Sequence, residues 1–273
     1  MKKWLLSLIA VLLMFTPVQA AELCTPAIQY ASANTQNIRI PVLAYHSVKP
    51  QRFYYPVNAD NPWILHEDIF RAQMQYLYDN GFTPLTSHQL VNFLFHGTAL
   101  PPNPIVLTFD DGYLDNALFA APILREFGFT AMLFLITGAI EETTPTMVAW
   151  PTPFMSRAEI FANMDVFEFG SHSHAMHCRV NGIPLLVSES TAAIRADILL
   201  SFEYPLTFTT GFAFPFGRHS QNALQALQET GILFAFTTFE AYLTRNTNPL
   251  LIPRFQVTSD WDMQHFSNVV NGR

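Results

Sequence analysis

Thr108-Phe109-Asp110-Asp111-Gly112-Tyr113 follows the apolar run Ile105-Val106-Leu107, so two adjacent carboxylates stand at the end of what reads as a buried strand. Like charges repel and burial penalises each of them, so such a pair needs a cation, a proton or strong hydrogen-bond donors to remain ionised. A metal ion meets that need. An Asp-Asp-Gly turn with both carboxylates in water is the alternative that these residues alone leave open. A second stretch, Gly170-Ser171-His172-Ser173-His174-Ala175-Met176-His177, favours the metal. It follows another strand-like run, Val166-Phe167-Glu168-Phe169, and places three of the nine histidines within six residues. One carboxylate and two imidazoles suit zinc and similar first-row divalent ions, and three protein ligands leave a position for water or substrate.

Outward from these stretches, short apolar or β-branched runs alternate with longer helix-like segments, the pattern of an α/β barrel. Seven strand candidates cover residues 38–45, 105–109, 131–136, 166–169, 211–214, 233–237 and 251–257. Residues 66–80 read as a helix in which Ile69, Phe70, Met74, Leu77 and Tyr78 share a face and Gly81 is the stop. Residues 114–127, closed by Gly128, read as another, in which Pro122 either kinks the helix or marks its start. Residues 188–203 and 218–230 read similarly, with Gly231 ending the latter. His46, Asp110, Asp111, His172 and the Pro215-Phe216-Gly217 turn all fall at the carboxyl ends of strand candidates, where barrel enzymes place their sites. Residues 49–62, with Tyr54 and Tyr55, read as a loop at the same mouth whose aromatics either stack on sugar rings or cap the core. Residues 141–153 and 179–190 read as loops that shape the groove.

A chain of 273 residues with 50% hydrophobic and 14% aromatic content is ample for one large core. Met1-Lys2-Lys3 precedes an apolar stretch, residues 4–15, too short to span a bilayer comfortably, and Val18-Gln19-Ala20 offers small residues for cleavage. The expected organisation is a signal peptide at 1–20, an extension at 21–37 and a catalytic domain at 38–273. Ala21-Glu22-Leu23 is a poor lipobox before Cys24, so the mature chain is expected to be soluble, periplasmic or secreted, with no stable membrane span. Loss of Lys2 and Lys3 with the signal takes the formal charge from −7 to −9, which disfavours nucleic acid and anionic membranes as partners. Cys24 and Cys178 are open to a bridge or two unpaired buried thiols, ahead of a third reading in which a cysteine is a direct metal ligand. Nothing in the pattern assigns an oligomeric state.

These motifs resemble the polysaccharide deacetylase family, also called carbohydrate esterase family four. Its T-F-D-D-G motif is unchanged at 108–112, and His172-Ser173 with His177 is similar to its second motif. In most members the second histidine comes one residue earlier, where Met176 stands here; the longer spacing looks like the branch acting on poly-N-acetylglucosamine. The resemblance implies a distorted barrel of seven parallel strands and helices over residues 38–257. It implies a divalent ion, zinc or else nickel or cobalt, on Asp111, His172 and His177, with His174 as the rival ligand. Asp110 would be the base. Phe212-Ala213-Phe214-Pro215-Phe216-Gly217 resembles the third motif, in which a backbone N–H near Phe216, beside Pro215, is an oxyanion donor. The family's arginine is missing at Ala213, and Arg254 in Ile252-Pro253-Arg254-Phe255 is the candidate to orient the base. The late histidine of the family is absent from residues 250–257. His46, in a segment similar to the first strand of the poly-N-acetylglucosamine branch, is the candidate general acid; a buried, hydrogen-bonded histidine is the other reading. The implied partner is a polysaccharide of N-acetylglucosamine type from which N-acetyl groups are removed. O-acetyl ester hydrolysis and an inactive glycan-binding barrel are the alternatives.

Overall fold

The computed structural model describes residues 38–53, 60–148, 150–203 and 210–273. The expected signal peptide, the extension with Cys24, and Tyr54 and Tyr55 lie outside the described residues. The described chain opens with β1 (Val42–Tyr45), β2 (Ser47–Lys49) and β3 (Ile64–His66), then α1 (Glu67–Asp79), β4 (Thr83–Pro84), α2 (Ser87–His96) and β5 (Pro104–Phe109). A π turn at Asn116–Ala120 leads into α3 (Ala121–Glu126), followed by β6 (Ala131–Leu135), α4 (Arg157–Ala162) and β7 (Phe167–Ser171). Next come β8 (Arg179–Val180), β9 (Ile183–Pro184), α5 (Leu185–Ser188) and α6 (Thr191–Glu203). β10 (Gly211–Ala213), α7 (Gln221–Glu229), β11 (Phe234–Phe236), β12 (Phe255–Gln256) and α8 (Met263–Val270) complete the order.

The main sheet is parallel in the order β11-β10-β7-β6-β5-β1-β12, with β4 paired to the start of β5. Ile252 makes a parallel bridge to Phe236 of β11, while Phe255 and Gln256 pair with Leu43 and Ala44 of β1. Residues 252–256 therefore touch both ends of the sheet and close it into a distorted barrel with seven strand positions. The seventh strand, expected as one run over 251–257, is divided between its two neighbours because Pro253 has no N–H to continue a ladder.

Alternation along the strands sorts the core into two layers. Leu43, Leu107, Leu133, Leu135, Phe167 and Phe169 pack with Phe70, Met74 and Leu77 of α1, Ile123 and Leu124 of α3 and Phe266 of α8, the outer layer. Val42, Val106, Met132, Phe134, Ala213, Phe234, Phe236 and Ile252 cluster together inside the barrel with Leu90 and Phe93 of α2. Each fully buried side chain of this size contributes about 1.5–3 kcal/mol. The same two-residue period continues upward from this inner layer, from Val106 to Thr108 and Asp110 and from Ile252 to Arg254 and Gln256. The polar groups thus form the top floor of an otherwise apolar interior.

One expected helix is broken and another starts late. In place of one helix over 114–127, the Ala121 N–H reaches back to the Asn116 carbonyl and makes a π turn, and α3 starts there with Pro122 in its first turn. Pro122 lacks the N–H a continuous α-helix would need and suits a helix start. The helix expected at 188–203 is present as α6 but starts three residues later, after the short α5 ends at Ser188. Helices α2 and α4 were not expected from hydrophobic period, yet each starts on a capping box, Thr86 with Gln89 and Ser156 with Glu159.

Candidate active site at the mouth of the barrel

Strand β5 ends at Phe109, and Asp110 continues its ladder by donating its N–H to the Tyr45 carbonyl at 3.0 Å. Simple alternation would send the next side chain to the opposite face. Instead Asp111 has φ of 74°, a left-handed conformation that turns its carboxylate back to the same cavity. Gly112 follows at φ 88°, and a Cβ there would lie 2.7 Å from Leu135 Cδ2, so any other residue would be strained and would have to displace Leu135.

Asp110 faces Arg254. The guanidinium grips it with two parallel bonds, Nη1 to Oδ1 at 2.8 Å and Nη2 to Oδ2 at 2.7 Å. Arg254 is itself fixed by Nε donating to the Thr237 carbonyl and Nη1 to Thr108 Oγ1, and it is wholly buried. Burial pushes the Asp110 carboxyl up, but the Arg254 guanidinium and the nearby His172 outweigh it and hold the group well below the usual carboxylate range. Asp110 is therefore a carboxylate with its charge already compensated.

Asp111 faces the histidines. Its Oδ1 lies 3.5 Å from His172 Nε2 and 3.4 Å from His177 Nε2, and the three ligand atoms all fall within 4.8 Å of one another. Oδ1 is buried with no hydrogen-bond partner, an expensive state for a charged oxygen. His172 Nδ1 lies 2.7 Å from the Ala213 carbonyl; donation there leaves the Nε2 lone pair facing Asp111. Burial pushes the His172 imidazole down to about 3 and also lowers His177, so both rings are neutral near pH 7, the state in which imidazole ligates metals. Burial, together with the charge of Asp110, raises Asp111. An orphaned carboxylate oxygen and two neutral imidazole nitrogens converging on one point fit a divalent cation. His174, the rival ligand, is not part of this group; its Nδ1 lies 3.0 Å from Thr137 Oγ1.

These groups open into a cavity of about 580 Å³ that His46, Trp63, Tyr113, Arg179, Phe214, Phe216, Thr238 and Gln256 also line. His46 follows β1, packs its ring 4.8 Å from Trp63, and has a buried Nδ1 with no partner. Phe216 sits at φ 59°, and the bonds closing its turn run from Gly217 N–H to the Phe214 carbonyl and from Arg218 N–H to the Pro215 carbonyl. Pro215 is buried beneath the turn, and Arg254 reaches the cavity only through Asp110.

A profile of the polysaccharide deacetylase family matches residues 97–235, about half of the chain and both motif stretches. The chain belongs to the polysaccharide deacetylase family. A poly-beta-1,6-N-acetyl-D-glucosamine N-deacetylase of Staphylococcus aureus is 26% identical over 237 residues, covering 80% of this chain and 78% of that protein. Among solved structures, the Streptococcus pyogenes deacetylase PplD in complex with acetate overlays with a TM-score of 0.73 at 21% identity, over 85% of this chain and 98% of that one. IcaB from Ammonifex degensii overlays with a TM-score of 0.71 at 20% identity, over 86% of this chain and 97% of that one. These overlays establish the polysaccharide deacetylase barrel as the fold.

In this family member the sequence reading missed two supports of the site. Asp197, on the buried face of α6, accepts the N–H groups of His174 at 2.8 Å and Ala175 at 2.7 Å and so ties down the loop between the two candidate ligands His172 and His177. Its only sequence signal is a lone acidic residue in a largely apolar stretch, Ile194 to Leu200, that also carries Arg195. Tyr113 packs its ring on Phe154 with centroids 5.2 Å apart, and burial with the neighbouring Asp111 pushes its hydroxyl up. Cys178 is exposed directly after His177; its candidate partner Cys24 lies outside the described residues. Among the described residues no helix is long and apolar enough to cross a membrane.

Proposed function

We propose that this protein is a metal-dependent hydrolase that removes N-acetyl groups from a polysaccharide of N-acetylglucosamine type. The observation that carries the reading is the division of labour between adjacent carboxylates, Asp111 among the histidines and Asp110 on Arg254. Asp111, His172 and His177 would hold the ion, with zinc favoured by the donor set and nickel or cobalt also compatible. Such an ion supplies Lewis-acid polarisation of the acetyl carbonyl and lowers the pKa of water in the site.

Asp110 is the base. Its carboxylate is fixed by the bidentate Arg254, and it takes a proton from the attacking water. As negative charge develops on the acetyl oxygen, the Phe216 N–H, which the turn does not consume, donates to it. His46 then protonates the departing sugar amine, and Pro215 supports the turn from below. The N-deacetylase name of the Staphylococcus aureus relative supports the amide as the bond cleaved. An exported protein, with the signal at 1–20 and the catalytic domain at 38–273, fits a polymeric substrate found outside the cytoplasm. Acetate release by the zinc-loaded protein from N-acetylglucosamine oligomers tests the reading. Release from acetylated xylan alone would reassign it as an O-acetyl esterase, and zinc binding without release from either would leave a glycan-binding barrel.

A further inference from the structure

We propose that Arg179 is a positioning residue for this site, holding Phe216 and His177 together so that the oxyanion turn and a metal ligand stay in register. The proposal deepens the deacetylase reading and rests on it. The Arg179 guanidinium lies 4.2 Å from the centroid of the Phe216 ring, and the His177 imidazole lies 4.5 Å from that same ring. One phenyl group is thus shared between a cation and a candidate ligand, at the wall of the cavity all three line.

Phe216 needs such support. A bulky side chain at φ 59° is in a sparsely populated backbone region and remains there only where its surroundings hold it. Its backbone neighbours are fixed: Gly217 closes on the Phe214 carbonyl at 2.7 Å and lies so tightly under Thr238 that a Cβ would meet Oγ1 at 1.9 Å. Those contacts fix the two ends of the turn and leave the ring to be held by His177 and Arg179. If the ring swings out, Phe216 relaxes toward negative φ and its N–H turns away from the cavity.

Arg179 is itself well placed to do this. It starts the β8–β9 hairpin only two residues after His177, and the hairpin turns on Asn181 and Gly182, both at positive φ, a tight two-residue connection. Arginine binds an aromatic face through its flat guanidinium, and a lysine ammonium does so as a point charge.

Steady-state kinetics of the full chain on N-acetylglucosamine oligomers, together with zinc affinity by chelator competition, tests the assignment. Arg179→Ala is expected to lower kcat about tenfold or more with KM within about twofold, because a displaced donor acts on the transition state. Zinc affinity is expected to fall about tenfold as His177 loses its backing. Arg179→Lys, which keeps a cation for the ring but loses the flat stacking face, is expected to recover part of both losses. Wild-type kcat and zinc affinity in Arg179→Ala would overturn the proposal, as would a change in KM alone, which would make Arg179 a substrate contact, or a lysine variant no better than alanine. If the wild type releases no acetate, the deacetylase reading fails while the zinc measurement still decides the role of Arg179.

Discussion

Asp110 and Asp111 are adjacent in the chain yet have different partners, and that divergence is set by single residues. The left-handed backbone of Asp111 turns it toward His172 and His177, while Asp110 meets a wholly buried arginine. Removing one member of a buried ion pair leaves the other charged and unpaired, which costs about 3–5 kcal/mol. Arg254→Met should lower stability by that order in urea unfolding, and Asp110→Asn on the same background should restore part of it. A double variant no more stable than Arg254→Met would show that the pair is not the source of the loss. The paired carboxylates and clustered histidines were legible in the sequence because two like charges beside an apolar run require a partner. The left-handed turn that brings both to one cavity was not, since Asp-Asp-Gly leaves the conformation of its second residue open.

At the scale of elements, the site depends on segments that clamp one another across the mouth. Asp197 of α6 holds the loop between His172 and His177 by two backbone N–H groups. Asp197→Ala should therefore weaken zinc affinity about tenfold, the usual size of a supporting-partner loss, read by chelator competition. A second clamp joins β2 to the π turn, with Asp115 accepting from Ser47 while Lys49 donates to Thr152 at 2.7 Å. Burial pushes the Asp115 carboxyl from 3.8 up to about 7, against the pull of Lys49 and Ser47. Between those values the folded chain keeps a proton that the unfolded chain has lost, so this group's contribution to stability is present below about pH 4 and lost by about pH 7. Subtracting the stability of Asp115→Asn from that of the wild type should give a difference that falls across this window; a flat difference contradicts the assignment. These clamps escaped a hydrophobic-period reading because their signals are single polar residues. Thr86 with Gln89 and Asn181-Gly182 were short-range signals of a helix start and a hairpin that the period of apolar residues does not register.

For the whole molecule, seven strand candidates alternating with helical segments were legible in the sequence, and the resemblance to the family implied their closure into a parallel ring. The manner of closure was less so: the last strand is divided at Pro253, which brings Arg254 between two pairings and into the interior. The ion proposed for Asp111, His172 and His177 connects β5 with the loop after β7, so binding it should stabilise the fold as a whole. Zinc at a hundredfold excess over its Kd should add about 2.7 kcal/mol to unfolding free energy and raise Tm accordingly. Asp111→Asn and His172→Ala should lose that response.

The most direct test of the account is acetate release from N-acetylglucosamine oligomers by the zinc-loaded wild type and Asp110→Asn, with the zinc content of both measured. The account predicts equal zinc content and a rate about two to three orders of magnitude lower in the variant. Undiminished release by Asp110→Asn, or zinc lost along with the rate, would contradict it.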